Sequence, residues 1–315
     1  VKKSWWIATT AGALVLAAVV VLVVRESSGP SGPGPSPSSS EAPAPDRRAI
    51  LAVKIDNVAA ARPQTGLGTA DLVYVEPVEG GLTRLLALYR GRPPSVIGPV
   101  RSARATDLGL LAQYGKPALA YSGAAPELLP SLHSAPLANA SPAEVPNAFF
   151  RDESRPSPHN LYLRPNLVPD GEIEPEGAFP PSGAAPESGP PSATAAIRYP
   201  AAAFTFTWSQ DIGEYLIAVD GSPLTSVDSG QIRAATIVEQ RVAVHLGERG
   251  ETGTVPNSPI ARTVGTGKAT VWRDGQRFAA TWDRATAQAP TRFKTASGKP
   301  LPVSEGPLWI LLVPA

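Results

Sequence analysis

Apolar residues in this chain fall into three kinds of run. The first is continuous: residues 5–24 carry no charge. About 20 apolar residues at 1.5 Å rise each are enough to cross a bilayer core. The second kind is short and ends in polar residues or glycine. Residues 50–55 stop at Asp56-Asn57, 72–75 stop at Glu76, and 118–121 stop at Ser122-Gly123. Such runs read as buried strands. Gly80-Gly81 lies between 72–76 and a further apolar stretch, 85–89, and predicts a hairpin turn or bulge. The third kind alternates and dominates after residue 196. Phe204-Thr205-Phe206-Thr207-Trp208 is one example, and the runs 215–219, 269–272 and 277–282 adjoin Asp220-Gly221 and Asp274-Gly275. An Asp-Gly pair beside alternating runs signals a β-hairpin. Residues 309–313 predict a last strand.

Helical spacing is rarer. Leu108, Leu111 and Ala112, with Gly115 as a C-terminal cap, predict a helix over 102–114. Ser102 is its candidate N-cap. A short helix is expected at 125–132 and a single turn at 67–70.

These elements predict an α+β protein in five segments. Residues 1–25 read as a transmembrane anchor and 26–46 as a flexible Gly/Ser/Pro stalk, too poor in apolar content to offset the entropy of ordering. Residues 47–167 read as an α/β domain with a mixed sheet and a polar cleft. Residues 168–195 read as a Pro-rich linker, and 196–315 as a small all-β domain. Lys2 and Lys3 precede the apolar run while Arg25 and Glu26 cancel after it, so the positive-inside rule puts the N-terminus in the cytoplasm and the bulk outside. A cleaved signal peptide is the alternative.

Composition narrows the chemistry. The formal net charge is +1, so no nucleic-acid partner is expected. Cysteine is absent, which excludes disulfides, thiol catalysis and lipid attachment through a cysteine of this sequence. No cofactor or metal is called for, and the oligomeric state is not legible.

The most restricted polar stretch is Ile97-Gly98-Pro99-Val100-Arg101-Ser102-Ala103-Arg104. A helix N-terminus here, with Arg101 and Arg104, would form an anion site for carboxylate or phosphate. Arg62 and Arg84 extend the set of charge binders, and Asn57, Gln64, Ser102 and Asn160 are placed to orient a ligand. Asp56, Glu76, Glu79 and His159 supply acid/base capacity. Alternation along an extended chain puts Glu76 and Glu79 on opposite faces, which disfavours a simple carboxylate pair. A Ser/His/Asp set drawn from Ser102 or Ser122, His159 and Asp152 lacks a nucleophile-elbow pattern. The alternative for the arginines is a structural network with Glu76, Glu79 or Asp107. Trp208, Trp272 and Trp282 form either a sugar platform or, as tryptophan usually does, core.

Several blocks resemble one bacterial family. They are Ile55-Asp56-Asn57, Ala61-Arg62-Pro63-Gln64, Ala70-Asp71-Leu72-Val73-Tyr74-Val75-Glu76, Val78-Glu79-Gly80-Gly81-Leu82-Thr83-Arg84, Gly98-Pro99-Val100-Arg101-Ser102-Ala103-Arg104 and His159-Asn160-Leu161-Tyr162. Weaker matches are Gly265-Thr266-Gly267, Arg273-Asp274-Gly275, Thr281-Trp282 and Trp309-Ile310-Leu311-Leu312-Val313-Pro314. Together they are similar to the YerB-like lipoprotein family, a two-domain family of unknown function. The resemblance implies an envelope-facing protein and supplies no reaction. Two departures stand out. The family's lipid-bearing cysteine is absent, and Ala279-Ala280 replaces a usual Glu-Gly before Thr281-Trp282. The resemblance therefore carries a site only for the N-terminal segment.

The functional expectation is a membrane-anchored extracytoplasmic protein that binds an anionic or carbohydrate-like envelope ligand in an arginine-lined cleft. The alternatives are an envelope hydrolase or transferase using Asp56, Glu76, Glu79 and His159, and a non-catalytic scaffold or protein-interaction module.

Overall fold

A computed structural model describes residues 48–247 and 257–315. The apolar run at 5–24 and the stalk at 26–46 lie outside these residues. Among the described residues no helix is long and apolar enough to cross a membrane.

The short apolar runs form strands where expected. They are β1 (Ile50–Asp56), β2 (Leu72–Pro77) and β3 (Thr83–Arg90). β3 lies between β1 and β2, antiparallel to both, and Gly80 and Gly81 make the turn with positive φ. Glycine reaches that region without a Cβ penalty. β4 (Ala118–Ala120) and β5 (Ala138–Ala140) extend the sheet beyond β1 in parallel, so the sheet is mixed.

Downstream, β6 (Phe149–Arg151) pairs with β7 (Leu161–Leu163). β8 (Thr194–Tyr199), β9 (Ala202–Ser209) and β10 (Glu214–Val219) form a meander within a five-stranded sheet. Then come β11 (Thr236–Val242), β12 (Gly265–Arg273), β13 (Gln276–Arg284), β14 (Arg292–Thr295) and β15 (Leu308–Pro314). Asp220 and Asp274 take positive φ before their glycines, as the hairpin signal predicts.

The all-β segment keeps the five-stranded sheet to itself but shares its other strands with the N-terminal segment. β15 pairs in parallel with β11 on one side and β2 on the other, Leu308 facing both Thr236 and Leu72. The result is one ten-stranded sheet in the order β14-β13-β12-β11-β15-β2-β3-β1-β4-β5. The described residues form one compact unit, and the stretch 168–195 lies between its two halves in chain order. β15 is buried from Leu308 to Val313. A continuous apolar run of this kind suits a strand covered on both faces.

The central strands β1, β2, β3 and β15 alternate between two cores. Val53, Ile55, Val73, Val75 and Trp309 pack under Phe204 and Phe206 of the five-stranded sheet. Ala52, Tyr74, Leu86 and Leu88 pack under Leu110, Leu111 and Tyr114 on the other face. Trp272 and Trp282 are core residues, and Trp208 stacks edge-on against Tyr215, so no sugar platform forms.

Two expectations change. The helix α1 spans Ala105–Leu111 rather than 102–114, with Arg104, not Ser102, as its N-cap. Non-local hydrogen bonds hold 101–103 extended: Arg101 N donates to Lys54 O at 2.8 Å, Ala103 N to Gly123 O at 2.9 Å, and Ser122 N to Arg101 O at 2.9 Å. Residues 168–195, expected as a linker, are pinned along the sheet. Gly183 N donates to Val303 O at 3.0 Å and Ser192 N to Gly275 O at 2.7 Å.

At Gly98 two segments come into close contact. A Cβ there would lie 2.6 Å from Tyr162 Cδ1 and 3.0 Å from Leu161 O. Gly98→Ala is expected to lower stability by about 1–3 kcal/mol through overpacking, read as a lower urea midpoint at unchanged slope.

Candidate functional site

The candidate residues gather at the C-terminal end of β1, on the sheet face that carries α1. Register puts Asp56, Arg84 and Glu76 in one row across β1, β3 and β2. Lys54 lies two residues earlier on the same face.

Lys54 sits between two carboxylates. Its Nζ donates to Asp107 Oδ1 at 2.7 Å and lies 2.8 Å from Glu76 Oε2, and all three side chains are fully buried. The Glu76 contact is ionic rather than directed, since neither Glu76 oxygen is in hydrogen-bond geometry with a partner. Burial, then the neighbouring Asp107 charge, push the Glu76 carboxyl up to about 8 against the pull of Lys54. A protonated Glu76 leaves one cation and one anion in the buried trio, which balances.

Asp56 is a second buried anion, and three groups converge on it. Arg84 Nη1 lies 3.3 Å from Oδ1, Arg101 Nε lies 3.2 Å from Oδ2, and His159 donates from Nδ1 to Oδ2 at 2.7 Å. The carboxylate keeps the imidazole proton on Nδ1 and leaves Nε2 for another partner. The Arg62–Pro63, Gly98–Pro99 and Ser157–Pro158 bonds around this cluster are cis.

The remaining candidates are supports. Arg104 grips Glu79 through Nε and Nη2, both at 2.9 Å, and Ser258 donates to Glu79 Oε1 at 2.5 Å. Burial, which raises the Glu79 carboxyl, is outweighed by the Arg104 and Ser258 hydrogen bonds, which hold it near about 2. Arg62 donates to Asn57 O at 2.7 Å and pairs with Asp220 at 3.0 Å. Gln64 donates to Asp56 O at 3.1 Å, and Asn57 donates to Thr83 Oγ1 at 2.8 Å. Ser102 Oγ faces Ser122 Oγ at 3.4 Å. The expected anion site at the helix start does not form. Asp107 accepts the Arg104 backbone N–H at 2.6 Å, and the Arg104 guanidinium is spent on Glu79.

An open space does exist beside this network. A cavity of about 420 Å³ is lined by Arg101, Ser122, Phe149, Phe150, Arg151 and Pro158 among others. Of the expected binding residues only Arg101 lines it. His159 and Asn160 stand one step behind: Arg101 donates to Pro158 O at 3.2 Å, and Arg151 donates to Asn160 Oδ1 at 2.6 Å. Arg151 was missed as a site residue, although the run Phe149-Phe150-Arg151 marks a cation after two aromatic rings. Among the described residues no carboxylate lines this cavity.

Comparison with known proteins matches this architecture to a family. Residues 36–176 match "Protein of unknown function (DUF3048) N-terminal domain", and residues 195–310 match the corresponding C-terminal domain. The chain belongs to this family, whose two parts meet in the pinned Pro-rich stretch. Over 59 residues it is 48% identical to "Putative lipoprotein YerB" of Bacillus subtilis (strain 168). That alignment covers 19% of this chain and only 18% of the relative's length. The crystal structure of YerB protein from Bacillus subtilis superposes with a TM-score of 0.71 over 85% of this chain and 92% of that one. Sequence identity there is 22%, so this likeness establishes the fold.

Two stability measurements probe the buried charges. Lys54→Met strands Asp107 in the core and is expected to cost about 3–5 kcal/mol in denaturant unfolding. The Glu76 carboxyl keeps its proton in the fold, while the unfolded chain releases it above the ordinary value of 4.5. Its contribution is therefore fully present below about 4.5 and fades as pH rises to about 8. Glu76→Gln should flatten the decline of stability with pH across that window, and an unchanged slope would refute the assignment. Glu79 works the other way: its contribution is present above 4.5 and lost as pH falls toward about 2.

Proposed function

We propose that this chain is a membrane-attached protein of the bacterial envelope whose folded body lies outside the membrane and binds an anion-bearing ligand beside β1. The reading of the location rests on the apolar run at 5–24 behind Lys2 and Lys3, and on the lipoprotein name of the relative. A single-pass anchor through that run is the attachment it favours, because these residues contain no cysteine to carry a lipid.

One observation carries the binding reading. Arg101 and Arg151 open on the same cavity, each held along one edge by a partner behind it (Asp56 for Arg101, Asn160 for Arg151), and no carboxylate of the described residues lines that cavity. Guanidinium groups positioned in this way present their remaining donors to a carboxylate or phosphate. Phe149, Phe150 and Pro158 give the cavity an apolar wall for the body of an acidic sugar or a similar ring, the Phe150 ring itself being held by Tyr162 and Arg164. Asp56, Asn160, Arg84 and His159 serve as the frame. A volume of about 420 Å³ falls within the range of small-molecule sites.

A second reading, an envelope hydrolase or transferase, is favoured by the His159–Asp56 pair. An imidazole oriented by a buried carboxylate, with Nε2 free, is the arrangement of a general base. Glu76 and Glu79 contribute little to it, one being buried behind Lys54 and the other locked by Arg104.

The test is titration of the full chain in nonionic detergent with fractionated envelope extract and with inorganic phosphate as the minimal anion. Arg151→Ala, which leaves the partners of Asp56 in place, is expected to weaken binding by about tenfold or more with little change in melting temperature. Adding Arg101→Ala is expected to weaken it further and to lower the melting temperature as well, because the buried Asp56 loses a partner. Absence of any saturable ligand, or binding that survives both substitutions, would overturn the reading. His159→Asn that binds but loses turnover of a bound envelope ligand would establish the second reading instead.

A further inference from the structure

The Gly265-Thr266-Gly267 block plays no part in the site above, yet it borders a larger opening. β11 and β12 are paired from Thr236–Arg273 to Gln240–Ala269, and there the ladder stops. Beyond it, residues 265–268 pair only with β13. The two chains meet again where Arg262 N donates to Ala243 O at 2.9 Å. Between these points the sheet has an eye of about 730 Å³, bordered by Arg241, Arg262, Thr266, Gly267, Lys268 and Trp282.

The eye is built rather than frayed. The Trp282 indole N–H donates to Arg241 O at 2.8 Å, taking the place of the backbone donor that the ladder withdraws. A Cβ on Gly267 would lie 2.5 Å from that indole nitrogen and 2.8 Å from Arg241 O. Glycine at this position is therefore what allows the indole to seal the wall.

Its charge is one-sided. Arg241 is tied to Glu239 and donates to Pro314 O, which fixes its guanidinium at the rim. Arg262 and Lys268 are exposed and make no side-chain hydrogen bond or ion pair among the described residues. Asp283, across the strand from Thr266, is neutralised by Lys294 at 2.8 Å. No side-chain carboxylate of the described residues lines the eye, which the backbone of Ala315 also borders. Three cations around an opening of small-molecule size, with a hydroxyl and an indole in its wall, match an oxyanion carried on an uncharged body.

We propose that this eye is a second binding site, for a ligand bearing phosphate or carboxylate on a sugar or polyol. Arg262 and Lys268 hold the oxyanion, Arg241 supports them from the rim, and Thr266 offers a hydroxyl to the polyol. The site is independent of the cavity beside β1, with which it shares no lining residue.

Calorimetric titration of the full chain in nonionic detergent tests this, with glycerol 1-phosphate, galacturonate and glucose as probes. Saturable binding of at least one acidic probe, with none for glucose, is expected, and the two acids distinguish a phosphate from a carboxylate ligand. Arg262→Ala with Lys268→Ala should weaken the acid by about tenfold or more at unchanged melting temperature, because neither side chain supports the fold. Lys116→Ala with Lys299→Ala, which removes the same charge elsewhere on the surface, should leave binding intact. The proposal is overturned by no acidic probe binding, by equal binding of glucose, or by equal losses in the two double variants. Loss of binding in Arg101→Ala with Arg151→Ala alone would assign the acid to the first cavity and also overturn it.

Discussion

Charge balance on one buried face of the sheet is the constraint on which the rest of this structure depends. Lys54, Asp56, Glu76 and Arg84 project from neighbouring strands into the same interior. Ionised groups removed from water need partners at close range, or they give up their charge. The fold meets that demand by bringing distant segments to the sheet. α1 delivers Asp107 to Lys54, the 98–104 stretch delivers Arg101 to Asp56, and the 157–160 turn delivers His159 to the same carboxylate. Glu76 is the residue left over, and it answers by holding a proton. Each pairing draws a loop onto β1, so electrostatics sets where these loops can lie.

That arrangement separates support from access. Most of the candidate site residues of the N-terminal segment are consumed by the network. The groups that remain available lie at its margin, where Arg101 and Arg151 look away from their partners. A buried anion behind a cation fixes its position without covering its outer donors. The same logic recurs at the eye in the sheet, where Arg241 is held from behind while Arg262 and Lys268 face outward.

Local features of this architecture were readable from the chain, and long-range ones were not. The strands 50–56, 72–77 and 83–90, the Gly80-Gly81 turn and both Asp-Gly hairpins follow from apolar runs and turn chemistry, which act over a few residues. The start of α1 was misplaced because Ser102 has good local capping chemistry but is held extended by backbone bonds from 54 and 122–123. The merging of the two segments into one sheet depends on Leu72 meeting Leu308, a contact that no local pattern announces. The one trace of it is the unbroken apolar character of 308–313. In the site, the pairing of Arg104 with Glu79 was foreseen as an alternative, whereas Lys54 between Asp107 and Glu76, and the use of Asp56 by two arginines and a histidine, required the fold itself.

The position of β15 bears on how the chain acquires this structure. It is the last strand in chain order, yet it occupies the middle of the sheet between β2 and β11. Until it arrives, β2 and β11 each present an open hydrogen-bonding edge, and neither segment can close its core. Exposed edges of this kind are templates for wrong pairing between chains. Pairings between residues so far apart also form slowly, because the loop must close before any contact repays it. Folding that proceeds from the N-terminal side would therefore pass an interval in which β2 and β11 are both formed and the sheet is still in two pieces. Maturation of this protein should be governed by the arrival of its final strand and by whatever shields the two edges while they wait for it.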